Sequence, residues 1–127
     1  SAFEDAYTKA APYPPIQALA LAGLARVMFA QGAHADALEM AQRGLSIATK
    51  TGTYVPAFYS LHASEIEALW AVARRDEARD RLRRAQALLA ECLQRFPDAG
   101  TRDGFARCIR GAARIVALAN EMEASDS

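Results

Sequence analysis

Small and aliphatic side chains return every three or four residues in five long stretches, and glycine or proline divides each stretch from the next except the third from the fourth. No other feature limits the fold as much, because this spacing gathers apolar groups on one side of an α-helix and fits no strand period. Leu21, Leu24, Ala25, Met28 and Phe29 form such a face between about Ile16 and Gln31, and Gly32 ends it. Ala37, Leu38, Ala41, Leu45 and Ala48 form the next, from His34 to Thr49. Gly52 stops that helix, and Thr53 caps a third that tolerates Pro56 in its first turn. The third helix carries Phe58, Leu61, Ile66, Leu69 and Trp70 as far as Val72. After the turn at Arg74-Arg75-Asp76, a fourth from Glu77 to Phe96 offers Leu82, Ala85, Leu88, Leu89, Cys92 and Phe96. Pro97-Asp98-Ala99-Gly100 breaks the chain, and Thr101 caps a fifth ending near Met122, with Phe105, Cys108, Ile109, Ala112, Ile115, Val116 and Ala119 inward.

The chain of 127 residues fits a single domain. Its residues are 52% hydrophobic, about a quarter are alanine, and strand-favouring types are few, which predicts an all-α fold whose helices approach closely. Residues 1–13 read as an N-terminal extension: a short helix through Ala11, halted by Pro12-Tyr13-Pro14-Pro15. Residues 14–122 read as the folded domain and 123–127 as a flexible tail. Loops this short make neighbouring helices antiparallel, and leave open whether the helices close into a bundle or stack in one direction. Ser1, with no initiator methionine, suggests a processed or excised piece of something larger.

Lys+Arg and Asp+Glu each number 15, so no whole-chain field draws the protein to nucleic acid or to an anionic membrane. Signal-peptide order is missing, and no stretch has the uninterrupted apolar length of a membrane span. The two cysteines, Cys92 and Cys108, lie in helical patterns and suggest a reducing, cytoplasmic setting. Arg74, Arg75, Arg79, Arg81, Arg83 and Arg84 are interleaved with Asp76, Glu77 and Asp80, which favours surface ion pairing over phosphate contact. Arg107, Arg110 and Arg114 make a cleaner stripe, again with no recognition motif. His62 and Glu65 share a helix face, but nothing nearby completes a metal set. Glu65 and Glu67 stand only two residues apart and cannot share a face, and no phosphate loop, nucleophile elbow or HExxH sequence occurs. Neither an enzyme nor a cofactor is expected.

Shifting the second helix by 44 residues pairs Leu38 with Leu82, Ala41 with Ala85, Gln42 with Gln86, Leu45 with Leu89 and Ala48 with Cys92. The same shift pairs Leu24 with Ala68 and Met28 with Val72. Such repetition marks helix pairs that bury their faces only by stacking. Leu21, Leu24, Ala25, Met28, Gly32, His34, Ala37, Ala41, Gly44 and Leu45 make the first unit resemble a tetratricopeptide repeat. The longer spacing is similar to that of the repeats in large bacterial signalling and transcription-regulatory ATPases. Arg102, Phe105 and the run from Arg114 to Ala119 resemble the closing segment of such regions, where a proline often breaks the helix. Here that stretch has no proline, and a continuous helix is an equal reading.

The resemblance implies a short right-handed array of antiparallel helix pairs with a C-terminal capping helix. It also implies a protein or peptide partner on the concave surface lined by the first helix of each pair. Carried onto this chain, that surface holds Ala22, Arg26, Phe29 and Ala30, then Ile66, Trp70, Ala73 and Arg74, with Arg26, Phe29, Ile66, Trp70 and Arg74 as the contact residues. Arg26 can grip a carboxylate or phosphate through two parallel hydrogen bonds. Phe29 and Trp70 can anchor apolar groups, although both also suit plain core packing. An exposed apolar stripe on so short an array also allows a homodimer. The reading is therefore a non-catalytic interaction or oligomerisation module, part of a bacterial regulatory protein. The alternatives are a helical domain that binds a small ligand or nucleic acid and, further off, an unrecognised enzyme.

Overall fold

A computed structural model of the protein describes residues 14–51, 58–95, 98, 100 and 111–126, without the side chains of Pro15, Thr51 and Asp126. Among the described residues five long helices run in order: α1 (Pro14–Ala30), α2 (His34–Thr51), α3 (Phe58–Ala71), α4 (Arg75–Leu93) and α5 (Ala112–Asp126). Among the described residues there is no strand. The expected helix through Ala11, the cap at Thr53, Pro56, Phe96, Pro97, the cap at Thr101, and inward Phe105, Cys108 and Ile109 lie outside the described residues.

Local chemistry accounts for the helix ends. Proline is tolerated at the start of α1 because the first amides of a helix have no partner within it. In α2, Asp36 sits in the first turn and Lys50 in the last, each complementing the helix dipole. The fourth helix begins two residues earlier than the spacing predicts, at Arg75, which brings Asp76 and Glu77 into its first turn. Before α5 the backbone at Gly111 turns left-handed, with φ of 93°, so a glycine makes the break that the sequence left open. The α5 ladder then opens with the Ile115 amide on the Gly111 carbonyl at 3.0 Å. It continues past Met122 to Asp126, where Ser125 Oγ donates to the Glu121 carbonyl at 3.1 Å.

The α1–α2 and α3–α4 turns share one hydrogen-bond design. The Gly32 amide bonds to the Phe29 carbonyl at 3.0 Å, and the Ala33 amide to Met28 at 2.9 Å. In the second turn the Ala73 amide bonds to Trp70 at 3.2 Å, and the Arg74 amide to Leu69 at 2.9 Å. Both are Schellman closures with a left-handed residue, Gly32 at φ 84° and Ala73 at φ 65°. Corresponding atoms are therefore 41 residues apart, which corrects the shift of 44 at the turns: Met28 matches Leu69, and Phe29 matches Trp70. On the same register buried Ala37, Ala41, Gly44 and Ala48 fall on buried Ala78, Leu82, Ala85 and Leu89. Alanine at a left-handed position carries a steric cost of about 1 kcal/mol. Ala73→Gly is expected to stabilise the fold by about that much, measured as a higher urea midpoint with an unchanged slope.

Consecutive helices pack together from α1 to α4, and α4 also packs on α5. The odd-numbered helices also touch one another, α1 on α3 and α3 on α5, so α3 meets all four others. Leu61 of α3 joins Ala18 and Ala22 of α1 on one side. Tyr59, Ala63, Ile66 and Leu69 join the α4 and α5 core of Ala78, Leu82, Ala85, Ala112 and Ile115 on the other. Two close approaches depend on small residues. A β-carbon added to Gly44 of α2 would stand 2.5 Å from Leu61 Cδ2, and one added to Gly111 would overlap the backbone of Tyr59 and Ser60. Two expected inward residues face outward: Val116 is 51% exposed and Leu88 39%. Each lies at the margin of its helix's apolar arc, where one step of 100° decides between core and solvent.

Candidate binding groove

Two adjoining hollows lie along the surface formed by α1, α3 and α5. The first, of about 290 Å³, is lined by Arg26, Phe29 and Ala30 of α1, Ser64 and Glu67 of α3, and Arg114 of α5. The second, of about 410 Å³, shares Phe29 and Glu67 and extends over Trp70, Leu118, Glu121 and Met122. In α3 and α5 alike, residue numbers rise from the first hollow to the second, so the helices run along one groove with a polar end and an apolar end. Ser64, Glu67 and Ala71 share one stripe of α3 because they stand three and four residues apart.

Arg114 organises the polar end. Its Nη1 donates to the buried Ser64 hydroxyl at 3.3 Å, and its Nη2 to Glu67 Oε2 at 3.4 Å. Arg26 is exposed on the opposite wall and has no ion-pair partner among the described residues. Two guanidinium groups thus face one carboxylate. Half-buried Phe29 and Trp70 pack against the core and present their remaining surface to the hollows, so packing and exposure coexist in each. His34 stacks on Phe29 at 4.5 Å between ring centroids. The guanidinium groups of Arg75 and Arg79 lie 4.4 and 5.3 Å from the Trp70 ring centroid.

Of the five expected contact residues, Arg26, Phe29 and Trp70 line the groove. Ile66 has no exposed surface and supports it from the core. Arg74 sits in the turn, where its Nε and Nη2 donate to the Glu77 carboxylate at 2.8 and 2.6 Å. That bond holds the Glu77 carboxyl below its ordinary value. Ser64, Leu118, Glu121 and Met122 were not expected at a site, Arg114 was expected only in a basic stripe and in the closing run, and Glu67 was set aside. Treating the fifth helix as another first-of-pair helix would have placed Arg114 and Leu118 beside Glu67.

The arginine run mostly forms ion pairs on its own helix: Arg79 with Asp76 at 3.5 Å, and Arg81 and Arg84 with Asp80 at 3.7 Å. Arg81 also reaches buried Glu65 of α3, with Nε 3.6 Å from Oε1. Burial pushes the Glu65 carboxyl above its ordinary value, against opposing pulls from Arg81, a Gln42 hydrogen bond and Arg84. One turn earlier, His62 packs against the Phe58 ring at 4.6 Å, and its Nδ1 is buried with no hydrogen-bond partner among the described residues. Desolvation, helped by Arg81, lowers its pKa from 6.5 to about 4.

Among the described residues no three potential metal ligands cluster, and no helix is long and apolar enough to cross a membrane. Cys92 is a half-buried free thiol, and Cys108 lies outside the described residues. No protein-family model matches the chain, and neither does a curated protein or a solved structure.

Proposed function

We propose that this chain is a non-catalytic protein- or peptide-binding module, a short tetratricopeptide-like stack of antiparallel helix pairs whose groove along α1, α3 and α5 receives the partner. The observation that carries the reading is the pair of adjoining hollows, floored by half-exposed Phe29 and Trp70 and joined through Glu67. Their combined size lies within the range of ligand sites, and aromatic side chains are common anchors of binding energy. In this reading the domain works in the cytoplasm as part of a bacterial regulatory protein, with α5 covering the last apolar face. A second reading, self-association, draws on Ile16, Leu19 and Val27, which are exposed along one face of α1.

Light scattering across a dilution series, followed by selection from a displayed random peptide library, tests both readings. Peptide binding predicts a monomer and enriched sequences that bind Phe29→Ser at least about tenfold more weakly, with the variant's helicity confirmed. Concentration-dependent dimers that Leu19→Ser disperses would favour self-association. Failure of the library to enrich any peptide, or equal binding by the variant, would overturn the groove reading.

A further inference from the structure

The groove's two ends differ in chemistry, and that difference constrains its occupant. At the polar end Arg26 and Arg114 line a hollow in which Glu67 is the single carboxylate among the described residues. A guanidinium carries five N–H donors. Arg114 uses one on Ser64 and one on Glu67, and Arg26 has no ion-pair partner among the described residues. Unsatisfied donors on two converging cations are suited to a second carboxylate. At the other end Trp70, Leu118 and Met122 surround a larger hollow that suits an aromatic or branched aliphatic group.

Helix geometry sets the distance between these two demands. From Ser64 to Ala71, the stretch of α3 that floors both hollows rises about 10 Å at ~1.5 Å per residue. An extended peptide advances about 3.3 Å per residue, so that length corresponds to about three residues.

We infer that the groove binds an extended peptide segment with an aspartate or glutamate side chain between Arg26 and Arg114 and, about two or three residues away, a large apolar side chain over Trp70, Leu118 and Met122. This rests on the peptide-binding reading above and adds the partner's chemistry. Glu67 acts as an internal competitor for Arg114, so its removal frees the guanidinium for the incoming carboxylate.

The test is fluorescence polarisation with synthetic peptides capped at both ends, so that only side-chain charge is read. The parent peptide places Glu three residues before Phe in an alanine and serine background; the others replace Glu by Gln, replace Phe by Ala, or separate the two by eight residues. The parent is expected to bind at least about tenfold more tightly than each of the others, since a charge-assisted hydrogen bond is about twice as strong as a neutral one and a buried aromatic group is a common anchor of binding energy. Arg26→Gln should abolish the preference for Glu over Gln, whereas Glu67→Gln should tighten binding of the parent. Circular dichroism checks that both variants keep their helices.

If peptides bind in a Phe29-dependent way regardless of the acidic residue or its spacing, the inference fails and the groove reading stands. Binding that requires an uncapped terminal carboxylate overturns the inference as well. If no capped or uncapped peptide binds and the library enriches nothing, both fail together.

Discussion

Replacing Gly111 with alanine is expected to destabilise the protein by about 2–5 kcal/mol, a fall in Tm on the order of 10 °C. Two costs combine. A residue with a β-carbon is strained at φ of 93°, by about 1–2 kcal/mol. That β-carbon would also overlap the backbone of Tyr59 and Ser60, which cannot rotate aside as a side-chain tip can. Forcing α5 away from α3 would loosen the seat of Ala112 and Ile115, at a further cost of about 1–3 kcal/mol. Gly32 is the internal control. It shares the left-handed backbone, at φ of 84°, but an added β-carbon meets nothing within 4 Å. Gly32→Ala should therefore show the conformational cost alone, about 1 kcal/mol. Denaturant unfolding of the two variants side by side isolates the close approach. Equal losses would mean that α5 does not lie against α3 in the way described.

The second large effect is acid lability centred on His62. A histidine in the unfolded chain takes its proton near 6.5, whereas the folded one resists until about 4. The unfolded state thus binds more protons throughout that interval, and stability falls as pH is lowered. Its contribution is complete above pH 6.5 and is lost progressively between 6.5 and 4. The total is about 3 kcal/mol, from roughly 1.4 kcal/mol per pKa unit. Glu65 acts with the opposite sign. Its folded carboxyl takes up a proton before the unfolded one does, so acidification relieves its burial and partly offsets the histidine loss. Denaturation curves from pH 7.5 to 4 for the native protein and His62→Leu should separate the two. The native protein should lose stability steeply below 6.5, and the variant should show a flat or slightly rising profile. Parallel profiles would show that the imidazole is not shielded from water.

Helix type was legible because alternation of three and four residues leaves little freedom: Leu21, Leu24 and Ala25 were placed inward and are buried, as are Leu61, Ile66 and Leu69. Register was harder to read. Sliding α2 along α4 by one helical turn brings apolar residues back to the same side, so the matches Leu38 to Leu82 and Gln42 to Gln86 are persuasive at 44 residues. Backbone closure at the turns nevertheless equates Gly32 with Ala73. The second turn was expected at Arg74-Arg75-Asp76, and its closure at Ala73 was hidden because alanine rarely adopts a left-handed conformation. The groove was half legible. Arg26, Phe29 and Trp70 were placed by carrying over the concave surface that the tetratricopeptide resemblance implies. Ser64 and Arg114 meet only because α5 lies along α3, a contact between residues fifty positions apart that no local pattern encodes.

The place of α3 in contact with all four other helices bears on how the chain matures during synthesis. When α1 and α2 have left the ribosome they can cover each other, and Leu61 can join them once α3 follows. The opposite flank of α3, with Tyr59, Ala63 and Ile66, shares its core with only Ala37 and Leu38 of α2 and the edge of α1 until α4 and α5 have emerged. The nascent domain therefore passes through a stage in which its central helix is shielded on one side and only partly covered on the other. Gly111 is the last hinge that must close before that stage ends.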